Sequence, residues 1–271
     1  MIAALYGTLA PHAWRDPGSQ LDASSLFYHY SIAMGWLDDR SAGGCEDQVA
    51  RAPGLWAMND AGWSHPLTVP GAGLISWFQV EVSAVADDRP LPVQPFLRCA
   101  QTATARAGAV DLAAIQLLLP VHGLDPAARA PYAPVPAILT QEWFAEGAAE
   151  ARTQVEVNVN SGQDQSVAMA AQDLIDRIVH LDQDVFRHES YEVTGQNAVV
   201  HPPFDDRAWN GPPLHSVVLR GELAEWSPEA IGWVSEMIAD SGSQSGIRSP
   251  LLLTITRNPT AEGTSGTPLV P

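Results

Sequence analysis

Between Gln154 and Asn160 the chain alternates strictly: Val155, Val157 and Val159 are apolar, Glu156, Asn158 and Asn160 polar. A period of two belongs to a strand with one buried face and one face that is wet or lines a cleft. The period then lengthens. Val167, Ala171, Leu174, Ile178 and Leu181 recur at steps of four, three, four and three, which predicts a helix over about 165–182. Asp164 or Ser161 can cap its start, and His180 falls in its last turn, where the helix dipole favours a cation. A short strand is expected over 185–193, a turn-rich loop through His201-Pro202-Pro203, and a strand over 215–225 with Val217, Leu219 and Leu223 on one face. Trp226-Ser227-Pro228-Glu229 is a helix start: Ser227 caps, Pro228 occupies the first helical position, and Glu229 meets the positive helix end. Trp226 and Ile231 have the spacing of a hydrophobic staple. This helix runs to about Gly242, and a last strand follows over 251–256.

The order in this half is β-α-β-β-α-β, the ferredoxin-like pattern of an antiparallel sheet with two helices on one face. The first half reads in the same order. Ile2 to Leu9 is a strand, and Leu26, Tyr30, Ala33 and Leu37 mark a helix capped by Asp22 or Ser24. The second strand falls somewhere in 48–65. Leu74 to Ala84 is a strand with Phe78, Val80 and Val82 on one face and Trp77, Gln79 and Glu81 on the other. A helix over 96–107 and a strand over 110–121 complete the set. Residue identities do not repeat, but the pattern does. The expected fold is therefore α+β, a tandem of two ferredoxin-like halves with antiparallel sheets. The halves are residues 1–121 and 152–258. Between them, 122–151 holds a proline-rich linker and a short helix, and the Gly-rich tail 259–271 is expected to be disordered.

Composition narrows the function. The 271 residues carry 14 Lys+Arg against 31 Asp+Glu, a net charge of −17, and every basic residue is an arginine. The arginines are scattered singly, so nucleic acid and anionic membrane surfaces are excluded as expected partners. Without lysine there is no Schiff-base or P-loop chemistry. Charge is uneven: residues 1–135 carry seven Arg and twelve acids, a net of −5, and residues 136–271 seven Arg and nineteen acids, a net of −12. Two cysteines, Cys45 and Cys99, are too few for a zinc ribbon or a disulfide framework. No apolar run approaches the roughly 20 residues of a spanning helix. These features lead us to expect a soluble, cytoplasmic protein.

No H-E-x-x-H, G-x-S-x-G, G-x-G-x-x-G, C-x-x-C or EF-hand pattern occurs, so no cofactor and no metal is expected. Two groups of residues stand out. His180, Asp184, His188 and Glu189 gather imidazoles and carboxylates that can shuttle a proton, and these are the candidate catalytic residues; the same stretch also reads as a solvated corner where charge collects. The other group is aromatic. Of nine tryptophans, Trp56 and Trp63 flank a loop next to His65, and Trp77 follows on a strand; these four are the candidate ligand-binding residues. Tyr28, His29, Tyr30 and Trp36 crowd the first helix. Core packing is the competing explanation for any one of them. The leading expectation is a small-molecule-binding or accessory protein with an aromatic-lined pocket between the halves. The alternatives are a cofactor-independent enzyme using His and carboxylate as acid and base, or an acidic module steering a basic protein partner.

Overall fold

Strand pairing follows the alternation read from the sequence. In the computed structural model, residues 1–16, 22–38, 54–63, 73–82, 89–128, 143–144, 146, 152–181, 183–195 and 200–258 are described. In the first half these residues form β1 (Ile2–Pro11), α1 (Ala23–Ala33), β2 (Ala57–Gly62), β3 (Leu74–Glu81), α2 (Val93–Ala105) and β4 (Gly108–Leu119). In the second half they form β5 (Thr153–Asn160), α3 (Ser166–Met169), α4 (Ala171–His180), β6 (Phe186–Thr194), β7 (Ser216–Leu223), α5 (Pro228–Gln244) and β8 (Leu251–Arg257). The fold is α+β. All eight strands lie in one antiparallel sheet, ordered β2-β3-β1-β4-β8-β5-β7-β6. The seam between the halves is the β4–β8 ladder, with Leu117 opposite Leu253.

The five helices cover one face of the sheet. Leu5, Phe78, Leu117, Val157, Leu219 and Leu253 all point into a single core with Phe27, Phe96, Leu174 and Ile238 from the helices. The valine stripe of β5 is on this buried face, as its alternation requires. On the opposite face, Ile2 and Leu252 pack with Val200 and Phe204, and Tyr6 packs with Ala4, Trp77 and Ala114. The Tyr6 hydroxyl donates to Gln116 Oε1 at 2.8 Å, and Gln116 Nε2 reaches the Pro202 carbonyl, which ties the 200–215 segment to this face.

Helix ends obey the local chemistry. Asp22 Oδ1 accepts from the Ser25 amide at 2.8 Å and starts α1. Ser227 Oγ accepts from the Ala230 amide at 3.1 Å, with Pro228 in the first turn of α5. The Trp226 indole N–H donates to the Leu112 carbonyl of β4 at 2.8 Å, so the start of α5 is also pinned to the first half. The single helix expected over 165–182 is instead two. Ala170 takes φ −90° and ψ 5°, out of the helical basin, and separates α3 from α4. Asp164 and Ser161 both serve the start, accepting from the amides of Ser166 at 2.8 Å and Val167 at 3.4 Å. Leu181, expected at the end of the apolar stripe, leaves α4 in an extended conformation and is exposed.

The closest helix crossing is α2 against α5. A Cβ added to Gly232 would stand 2.9 Å from Gln94 Cα, so the two backbones meet there without an intervening side chain. One turn on, Glu236 is buried, and its carboxylate accepts from the Gln94 amide at 2.9 Å and Gln94 Nε2 at 2.7 Å. Burial pushes this carboxyl up to about 7; the Gln94 bonds oppose the rise, and the neighbouring Asp240 adds to it.

No helix among the described residues is long and apolar enough to cross a membrane. Most of the expected 122–151 join, including residues 129–142 and 147–151, lies outside the described residues, as do the 259–271 tail, Cys45 and His65.

Candidate functional site

On its other flank α2 meets α1, and there the two helices leave a cleft of about 480 Å³. α1 contributes Leu26, His29, Tyr30 and Ala33, at the three- and four-residue spacing of one helix face. The last turn of α2 contributes Thr102 and Ala103, followed by Arg106. The turn after β1 contributes Trp14 and Arg15 and closes one side.

That turn is held by α2. The His12 amide donates to the Ala107 carbonyl at 3.2 Å, and His12 Nε2 lies 2.9 Å from the Ala105 carbonyl. Trp14 stacks on the His12 ring, with centroids 4.9 Å apart and planes 15° from parallel. The indole is therefore fixed while remaining 72% exposed. Arg15 is fixed as well: its Cζ stands 5.2 Å from the centroid of the Trp63 ring, a cation–π contact. Beneath the cleft the seam between α1 and α2 is sealed by aromatic rings. Phe27 stacks on Phe78 at 4.9 Å and meets Phe96 edge-on at 5.9 Å.

The cleft can hold a flat, ring-sized molecule against Trp14 and offer it guanidinium donors from its walls. Its described lining residues include one imidazole, that of His29, and no carboxylate.

Of the four ligand-binding candidates from the sequence, the three that are described, Trp56, Trp63 and Trp77, do not converge. Trp56 is fully buried on the helix side of the sheet, its indole N–H donating to Ser31 Oγ at 3.3 Å, and its ring packs near Phe27 and Phe96. Trp77 is buried on the opposite face beside Tyr6. Trp63 adjoins the cleft through Arg15. Cys99 lies in the same aromatic core, its Sγ 3.3 Å from Ser31 Oγ, and burial pushes its thiol up to about 12, which makes it a packed group rather than a nucleophile.

The four acid–base candidates occupy the far end of the second half. His180 ends α4, its Nδ1 2.5 Å from the Asp176 carbonyl. Asp184 pairs with Arg187 at 3.3 Å and approaches Arg152 at 4.0 Å. His188 sits on the edge strand β6, where partial burial lowers its pKa against the pull of Glu189. Glu189 accepts from Gln154 Nε2 at 3.0 Å. Glu189 is also the extra residue of a bulge, since His188 faces Gly221 and Ser190 faces Arg220. Gly221 permits that bulge, because a Cβ there would stand 2.2 Å from the Arg187 carbonyl oxygen. No three His, Cys, Asp or Glu side chains among the described residues are grouped to hold a metal.

Sequence reasoning passed over Trp14, Arg15 and Arg106. The crowding of His29 and Tyr30 on the first helix was the available signal for one wall. The α2 wall comes from residues more than 70 positions beyond His29 and Tyr30, and Trp14 and Arg15 come from a turn ahead of α1; no local pattern marks either. No known family model, curated protein or solved structure matches this chain.

Proposed function

We propose that the chain is a small-molecule-binding protein and that the cleft between α1, α2 and the turn after β1 is its ligand site. One observation carries this reading: an exposed tryptophan, Trp14, lines a cleft while stacked on a histidine that is itself hydrogen-bonded to the end of α2. A fixed aromatic wall costs a ligand little in ordering entropy, which makes such walls effective contact surfaces. The volume lies within the range of small-ligand sites. The site belongs to the first half alone, rather than to the junction between halves.

The strand order supports a second part of the reading. Counted within each half, β2-β3-β1-β4 and β6-β7-β5-β8 have the same sequence of strands, which is the order of a ferredoxin-like unit. We read the sheet as two such units laid edge to edge along β4 and β8. A cytoplasmic location goes with this reading, and the buried free thiol of Cys99 is in keeping with it.

Titration with 2-naphthylmethanol, followed by backbone amide shifts, tests the site. Shifts concentrated at Trp14, Tyr30, Ala33 and Ala103, and abolished in Ala33→Trp, are expected. Shifts centred elsewhere, or unchanged in the Ala33→Trp variant, would overturn the assignment.

A further inference from the structure

We propose that the ligand of this cleft is an aromatic anion, a planar ring bearing a carboxylate, gripped by Arg15 and Arg106. The proposal rests on the cleft being the ligand site and adds the chemical class. The whole chain has 14 arginines, no lysine and 31 acids. Among its nine described lining residues the cleft nevertheless holds two arginines and no acid. In a chain of net charge −17 this is a local reversal of sign in a concave place, where low-dielectric walls strengthen the field.

Among the described residues neither guanidinium makes an ion pair. Ion pairs seen between described residues involve Arg152, Arg187, Arg220 and Arg257, and not Arg15 or Arg106. Arg15 Cζ lies over the Trp63 ring at 5.2 Å from its centroid, a cation–π contact that engages no hydrogen-bond acceptor and so leaves the guanidinium N–H groups able to donate. Arg106 follows the last turn of α2 and stands exposed at the mouth of the cleft. A planar carboxylate is the partner that a guanidinium edge matches in two parallel hydrogen bonds. Four of the other described lining residues favour a ring, and His29, Tyr30 and Thr102 add polar groups beside them. Trp14 offers a fixed aromatic surface, and Leu26, Ala33 and Ala103 give an apolar floor with no hydrogen-bonding side chain. An aliphatic dicarboxylate would leave that surface wet, and a neutral aromatic would leave both guanidinium groups without a partner.

Calorimetric titration of the full chain at pH 7.5 with a matched pair, 2-naphthoate and 2-naphthylmethanol, separates charge from ring. We expect 2-naphthoate to bind at least about tenfold more tightly, the size of one charge-assisted hydrogen bond. Arg15→Gln and Arg106→Gln should each remove about that factor for the acid and leave the alcohol unchanged. Both side chains are solvent-accessible, so the variants should fold, and an unaltered melting temperature checks this. Equal binding of acid and alcohol would overturn the anion assignment while leaving the cleft as a ligand site. Preference for the acid that survives both substitutions would overturn the role of the two arginines. Binding of neither probe would overturn this inference together with the site on which it rests.

Discussion

Helix α2 has two flanks, and they have been put to opposite uses. Against α5 it is closed: Gly232 removes the side chain at the crossing, the backbones touch, and Glu236 caps the first turn of α2 from the interior. Against α1 it is sealed only at depth, by Phe27, Phe96 and Trp56, and towards its C-terminal end it opens into the cleft with Arg15 and Arg106. One flank is acidic and tight, while the other is basic and open. The difference lies in side-chain size at the crossing. A glycine lets helices meet at backbone distance, whereas large rings hold them apart and leave room above.

Removing the wedge should have the largest effect. Trp56→Ala deletes a fully buried ring and the hydrogen bond to Ser31 on α1, and we expect a loss of about 3–5 kcal/mol in urea denaturation. A loss under about 1 kcal/mol would mean that this ring does not hold α1 in place.

The closed flank should titrate. In the unfolded chain Glu236 ionises near 4.5, and in the folded chain near 7. Its contribution is therefore fully present below about pH 4.5, declines as pH rises through that interval, and is lost above about 7. The span is worth about 3 kcal/mol. In Glu236→Gln that part of the decline should vanish, so that the variant is comparable with the parent at pH 4.5 and more stable at pH 8. Parallel stability–pH curves for the two proteins would contradict a buried, protonated Glu236.

Gly232→Ala sharpens the same point. A methyl group 2.9 Å from Gln94 Cα forces the backbones apart, at about 1–3 kcal/mol, although alanine is the better helix former. We expect a net loss of about 1 kcal/mol in the same denaturation series. A stabilised variant would show that the crossing has slack. The smallest effect should be Asp22→Ala, which removes the cap of α1 and costs about 1 kcal/mol or less. Amide exchange should quicken at Ser25 and Leu26 while α2 and α5 are unaffected; uniform quickening would mean that α1 does not fray on its own.

Much of the architecture was legible because its determinants are local. Alternation in β5 and in β3, the Asp22 cap and the Trp226–Glu229 helix start each depend on a few neighbouring residues, and each element begins within about three residues of where the pattern put it. The break at Ala170 was not legible, since alanine is the best helix former and the apolar stripe runs straight through it. The aromatic candidates were found by residue type, and type does not say which face a ring takes. Trp56 and Trp77 lie 21 positions apart in the chain and end on opposite sides of one sheet.

From the sequence alone came the order of strands and helices, the caps, and a strongly acidic charge balance. These follow from propensity, periodicity and composition, all of which act over short stretches or over the whole chain at once. Only the tertiary structure decided that β4 and β8 join the halves into one sheet, that Gly232 meets Gln94, and that Arg15 and Arg106 share a cleft. Such contacts unite residues far apart in the chain. The free energy that selects them is burial of apolar surface, which depends on total fit rather than on local pattern.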